Sequence, residues 1–251
     1  MGSRYLKAAA LLACALLGGT GPGVQAARGS WHDQFDRLNP EQWVVSDLAG
    51  FWQSGRLHGR FQRGNAQVNG QGQLVLTLDV QGCAAGYCAQ GAEIQSRQRF
   101  GFGHYSVRMR AASDSADPRI PGRARPGNIS AAFSFFEDSR TEIDIEVEGH
   151  RTRQLNTAAW RGRQAKSFAL VPTPQGSDLA ASFHTYSWDW LPDRLTFRVD
   201  GAVVWETREH VPQDPGYLML NLWPTQNPHW GGEAQPGKVY MLIDAVTYVP
   251  L

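Results

Sequence analysis

The chain contains the run Thr141-Glu142-Ile143-Asp144-Ile145-Glu146-Val147-Glu148, in which acid and aliphatic residues alternate without a break. In an extended strand successive side chains point to opposite faces, so Glu142, Asp144 and Glu146 form one row and Ile143, Ile145 and Val147 the other. Carboxylates two residues apart on one face repel, and Asp and Glu are depleted in strands, so the row costs stability. What it offers in return is chemistry. One carboxylate can attack a carbon while a carboxylic acid beside it gives up a proton, the pair that glycosidic-bond cleavage needs, held about 5 to 5.5 Å apart when configuration is retained. Residues four apart on a straight strand lie roughly 13 Å apart at Cα, so Glu142 and Glu146 must lean together over a curved sheet. Asp144 between them would hydrogen-bond to one neighbour, and repulsion within the row would keep one acid protonated near neutral pH. The alternation alone also fits a half-exposed strand whose acids simply meet water.

A row of this kind needs a sheet around it, and the rest of the chain supplies strand-like runs. Residues 31–52 mix aromatic and polar residues without a helical period and read as short strands and a loop. Gln67-Val68 breaks at Asn69-Gly70 and resumes at Leu74 to Leu78, a hairpin signal. Glu93 to Ser96, His104 to Arg110, Ile129 to Phe136 and Leu155 to Trp160 follow as strands. Pro118 to Pro126 is a loop rich in Pro, Gly and Arg. Phe183 to Trp190 turns at Pro192-Asp193 into Leu195 to Val199, and Asp200-Gly201, the strongest hairpin signal, leads into Ala202 to Trp205. Tyr217 to Trp223 and Val239 to Val249 complete the set. No window after residue 26 keeps a 3.6-residue apolar period for three turns, so the expectation is an all-β sandwich of two sheets with a concave groove.

With 251 residues, 42% hydrophobic and 19% charged, the chain can bury a large core in one domain. Residues 1–26 read as a secretory signal: Arg4 and Lys7, an apolar run from Ala8 to Leu17 too short to span a bilayer, and Val24-Gln25-Ala26 as a small-residue cleavage site. Cys14 after Leu11-Leu12-Ala13 leaves a lipoprotein start as the alternative. The domain is therefore 27–251, secreted or periplasmic. Loss of Arg4 and Lys7, with no acid beside them, takes the formal net charge from +1 to −1. This gives no electrostatic case for nucleic acid or a membrane surface. Cys83 and Cys88, five apart in a Gly-rich stretch, are expected to close a small disulfide in an exported protein. The seven His residues show no metal-ligand spacing.

Glu142-Ile143-Asp144-Ile145-Glu146 resembles the signature of glycoside hydrolase family sixteen, the β-jelly-roll endoglucanases that include lichenases and xyloglucan endotransglycosylases. Phe183-His184-Thr185-Tyr186-Ser187-Trp188-Asp189-Trp190, Val199-Asp200-Gly201 and Asn221-Leu222-Trp223 recur in the same order in that family. The resemblance covers about residues 31–250 and implies a concanavalin-like β-jelly roll. By position it implies Glu142 as nucleophile, Asp144 as its assistant and Glu146 as acid/base, without a required cofactor. Sugars bind through aromatic faces and hydrogen bonds to hydroxyls. Asn221 and Trp223 share a strand face, as do Asn156 and Trp160, and relatives use such residues in the groove; Glu93 matches a sugar-binding Glu, and Trp52 is a further groove candidate. Trp188, Trp190 and Trp205 are assigned to the core. Asp244 corresponds to a position that helps hold a structural calcium in some relatives.

The implied activity is retaining endo-hydrolysis of a β-linked polysaccharide, a β-1,3-1,4- or β-1,3-glucan or a bacterial exopolysaccharide, by a monomer. Transglycosylation through the same intermediate and a non-catalytic sugar-binding jelly roll are the alternatives. Lichenases carry Trp where this chain has Arg140 and Arg where it has Gln95, so mixed-linkage specificity does not transfer directly. Arg119, Arg123 and Arg125 in the 118–126 loop could meet an acidic polysaccharide; a plain surface loop is the other reading.

Overall fold

The computed structural model describes residues 29–54, 57–84 and 86–251, of which residues 49–54 are described by their backbone. The expected signal segment lies outside the described residues. The strands in chain order are β1 (Trp31–Asp33), β2 (Trp43–Val45), β3 (Leu48–Ser54), β4 (Leu57–Phe61), β5 (Ala66–Val68), β6 (Leu74–Cys83) and β7 (Gly86–Phe100). They continue with β8 (Gly103–Ser113), β9 (Asn128–Phe136), β10 (Thr141–Glu148), β11 (Gln154–Trp160), β12 (Lys166–Pro172) and β13 (His184–Leu191). The last are β14 (Arg194–Val199), β15 (Ala202–Thr207), β16 (Gly216–Pro224), β17 (Gln226–Asn227), β18 (Gly232–Glu233) and β19 (Gly237–Pro250). Among the described residues no helix is long and apolar enough to cross a membrane.

Two sheets form. The acid-bearing sheet runs β12-β11-β10-β9-β16-β7-β2, antiparallel throughout. The facing sheet runs β15-β14-β13-β8-β19-β6-β7-β4-β3, with β1 beside β19 and β5 beside β6. One pairing in the facing sheet is parallel, that of β4 with β7. β7 serves both sheets, its first residues pairing with β4 and β6 and its later ones with β16 and β2. At Gly91, where it changes sheet, a Cβ would sit 2.5 Å from the Leu222 carbonyl oxygen, so a side chain there would push the strands apart.

Alternation builds the core. Ile143, Ile145 and Val147 of β10 face inward at 1% exposure or less, with Leu218, Leu220 and Leu222 of β16 and Ala92 and Ile94 of β7. Trp188 and Trp190 are fully buried as expected, and Tyr105 stacks on Trp188 with ring centroids 4.8 Å apart. Trp205 is half-buried and stacked on Phe197. The Asp200-Gly201 hairpin has both residues at positive φ, 50° and 81°, and His184 Nδ1 lies 2.6 Å from Asp200 Oδ2 to clamp it. Cys83 and Cys88 are bridged across the β6–β7 hairpin.

Candidate active site

The antiparallel register puts Glu142 opposite Trp160, Asp144 opposite Ala158 and Glu146 opposite Asn156 on β11. On the other side Asp144 faces Phe133 and Glu146 faces Ala131 of β9, and Ala131 faces Asn221 of β16, which faces Glu93 of β7. Residues opposed in register share a face, so these side chains belong to the surface turned away from the core. Asp144 is nevertheless only 7% exposed, Asn221 4% and Glu93 1%. Polar groups that covered, on a face over which the described residues place no second sheet, mark a recessed floor.

The turn that delivers the row is unusual. Glu137, Asp138 and Ser139 all have positive φ, 35°, 56° and 63°, a conformation non-glycine residues rarely hold. It is held by Arg140 N donating to Glu137 O at 2.8 Å, Gly162 N donating to Ser139 O at 2.6 Å, and an Arg163–Asp138 ion pair. Its product is a Ser139 side chain hydrogen-bonded to Glu142.

Burial pushes all three acids up. Glu142 rises to about 7, with the Ser139 hydrogen bond and the Lys166 charge pulling the other way. Glu146 rises to about 8, because burial is reinforced by the charges of Glu142 and Glu148. Asp144 rises by burial and by the charges of both neighbours, against a hydrogen bond from Trp160 and the charge of Lys166. Glu142 therefore has a hydroxyl donor and a cation to favour its ionised form, and Glu146 has only like charges to favour its acid form. The row can hold a carboxylate at one end and a carboxylic acid at the other, an arrangement suited to nucleophilic attack with proton donation.

Glu148, the fourth acid in the alternation, closes the row. It is 1% exposed and accepts from the Gly231 amide at 2.6 Å, from Asn156 Nδ2 and from the Arg151 guanidinium, with His150 Nδ1 at 3.4 Å. Its position two residues after Glu146 is the signal that puts it in the same row. Lys166 carries a weaker signal, since nothing in the local pattern of residues 166–172 marks a strand.

The other expected groove residues divide. Trp160 Nε1 donates to Asp144 Oδ2 at 3.0 Å, and Lys166 Nζ lies 4.5 Å from the indole centroid, so this Trp supports the acids and has little open surface at 7% exposure. Asn156 spends its amide nitrogen on Glu148. Glu93 accepts from Ser46 Oγ at 2.8 Å and Asn221 Nδ2 at 3.1 Å, and burial lifts it to about 7 against those two bonds. Trp223 is 2% exposed against half-buried Trp230, ring centroids 4.9 Å apart, so Trp230 presents the more accessible ring of the two. The Trp52 side chain lies outside the described residues.

Two further sets of expected residues are occupied by partners within the chain. Asp244 is ion-paired to Arg108, and among the described residues no group of three or more His, Cys, Asp or Glu could hold a metal. A single carboxylate already neutralised by a guanidinium is not the oxygen-rich set calcium takes, so the residues present do not fit that ion. In the 118–126 loop, Arg119 pairs with Asp117, and Arg125 with Asp114, Gln235 and the Pro236 carbonyl. The Arg125 carbonyl also accepts from Asn128 Nδ2 at 2.6 Å. Two of the three arginines offered for an acidic polysaccharide are thus already engaged. Arg140 is likewise paired, with Glu137 at 3.3 Å.

The sequence and the fold are similar to those of known proteins. The model of glycosyl hydrolases family 16 matches residues 56–241. A β-glucanase of Acetivibrio thermocellus is 29% identical over 194 residues, 76% of this chain and 53% of that protein, so the chain spans about half of this relative's length. The structure of Bacillus licheniformis β-glucanase superposes with a TM-score of 0.75 at 24% identity, covering 89% of this chain and 99% of that one. The laminarinase catalytic domain of Thermotoga maritima MSB8 gives a TM-score of 0.72 at 20% identity over 90% of this chain and 99% of its own.

Proposed function

The chain belongs to glycosyl hydrolases family 16, and from that membership we propose that it is an exported endo-glucanase that hydrolyses a β-linked glucan with retention of configuration. Glu142 attacks the anomeric carbon while Glu146 protonates the departing glycosidic oxygen. The covalent glycosyl-Glu142 ester is then opened by a water that Glu146, now ionised, deprotonates. Asp144, held by Trp160 and lying between the two, stabilises the changing charge on Glu142. The observation that carries this reading is the asymmetry of the acid row: a cation and a hydroxyl act on Glu142, while Glu146 is flanked by carboxylates.

The relatives support a β-glucan as the substrate class; β-1,3-1,4- and β-1,3-glucans come first, ahead of a bacterial exopolysaccharide, because Arg119 and Arg125, two of the three arginines that would have met an acidic polymer, are held in ion pairs. Export is supported by the basic, apolar and small-residue pattern of residues 1–26 and by the Cys83–Cys88 bridge.

The test is reducing-end release by the purified protein on these glucans, with the anomer of the first product followed by NMR. Retained configuration, lost entirely in Glu142→Gln while oligosaccharide binding persists, is the expected result. Turnover by Glu142→Gln, or an inverted product, would refute the assignment.

A further inference from the structure

We propose that edge strand β12 carries an outer sugar-binding subsite, in which Phe168 offers a ring face to a pyranose of the same glucan chain two strands away from the acid row. The inference rests on the glucanase reading above.

Register draws the row. Asp144 is opposite Ala158 and Ala158 is opposite Phe168; one position along, Glu142 is opposite Trp160 and Trp160 is opposite Lys166. Phe168 therefore shares the face of the acids, two strand spacings or roughly 10 Å from β10. The other side of β12 is occupied inward: Val171 packs on the core and Ser167 Oγ lies 2.9 Å from His210 Nδ1. Phe168 consequently has no choice of face, and it is 68% exposed, with Leu170 at 39% beside it.

The contrast with the other aromatics on this face gives that exposure its meaning. Phe133 is 8% exposed, Trp160 7% and Trp223 2%, so the rings nearer the acids are floor. Phe168 presents a ring to solvent at 68% exposure, with Lys166 Nζ 5.1 Å from its centroid. In register only Ala158 separates Phe168 from Asp144, and the Trp160 indole that leans in to Asp144 Oδ2 is itself 7% exposed and part of the floor, so a chain can run from the acids outward over this row. Sugar C–H faces pack on exposed aromatic rings, and a polymer lying across the strands of the sheet brings a ring there.

Phe168→Ala and Phe168→Tyr decide it. On the glucan that the protein cleaves, Phe168→Ala is expected to raise KM about fivefold or more with kcat within about twofold, because a remote contact is made equally in ground and transition states. A short chromogenic oligosaccharide filling only the sites beside the acids should be cleaved as before, and Phe168→Tyr should behave as wild type. Affinity electrophoresis in glucan-containing gels, in a Glu142→Gln background, reads binding without turnover: Phe168→Ala should lose the retardation. Unchanged KM and retardation, equal losses on polymer and short substrate, or loss in Phe168→Tyr as well would each overturn the subsite. If the unaltered protein cleaves no glucan the activity reading fails separately, and the gel still judges the subsite; absence of all retardation by the unaltered protein overturns it too.

Discussion

Trp160 Nε1 reaches diagonally from its place opposite Glu142 to donate to Asp144 Oδ2 at 3.0 Å. The indole carries out two jobs at once, fixing the middle carboxyl and serving as the seat for the Lys166 ammonium. Trp160→Phe keeps an aromatic ring while removing the donor and part of the ring's volume. A buried acceptor that loses a hydrogen bond costs about 1–3 kcal/mol, so kcat is expected to fall roughly 10- to 100-fold through a mispositioned Asp144. A Phe variant with unchanged kcat, measured on the glucan cleaved by wild type, would remove Asp144 from the assignment.

The pH profile follows from the two ends of the row. In the proposed mechanism attack requires ionised Glu142, raised to about 7, and leaving-group protonation requires neutral Glu146, raised to about 8. kcat/KM should therefore be bell-shaped, falling on the acid side as Glu142 takes a proton and on the alkaline side as Glu146 loses one, the limbs belonging to the coupled row. Lys166 favours ionised Glu142, so Lys166→Met lets the Glu142 pKa rise and moves the acid limb to higher pH, while Lys166→Arg restores it. A Met variant with an unmoved acid limb would show that the charge of Lys166 is not felt at Glu142.

Alternation makes β10 legible from residues alone, because each aliphatic side chain goes to a core that needs it and each acid to a floor that does not. The Asp200-Gly201 hairpin is legible for a different reason: both residues must take positive φ, and few pairs other than Asp-Gly do so readily. β12 is not legible in this way. Lys166, Phe168 and Leu170 put a charge and two apolar residues on its outer face, so the in-out contrast that marks a half-buried strand is absent. With β12 goes Lys166, the cation of the site. The engagement of Asn156 by Glu148 and of Trp160 by Asp144 is equally invisible to spacing, which gives the shared face but not the hydrogen-bond partner.

Glu93 predicts a stability effect with a definite sign. Its carboxyl is raised by burial from 4.5 to about 7, so the folded state favours the protonated form. The associated stability is fully present below the unfolded pKa near 4.5 and is lost as pH rises through about 7, on the order of 3 kcal/mol. Asn221 Oδ1 is buried without a hydrogen-bond partner, so in Glu93→Gln a flipped Asn221 amide can accept from the new side-chain NH2. Urea unfolding at pH 5 and pH 9 should show a smaller loss of stability in Glu93→Gln than in wild type. An identical pH dependence in both would mean that Glu93 is ionised at little cost in the fold.

Glu148 acts on the opposite limb from Lys166. Its charge is among the causes that keep Glu146 protonated, so Glu148→Gln should lower the Glu146 pKa and bring the alkaline limb of kcat/KM to lower pH, leaving the acid limb in place. The same change removes the charge that Arg151 and the Gly231 amide are bonded to, at a site 1% exposed. A structural cost of about 1–3 kcal/mol is expected and would appear as a lower urea midpoint. The two readouts separate: a lower midpoint with an unmoved alkaline limb would make Glu148 a strut for the 229–231 turn and Asn156, and nothing more. A limb that moves, in a variant still folded at the assay temperature, would establish that the fourth acid of the alternation helps set which of its neighbours carries the proton.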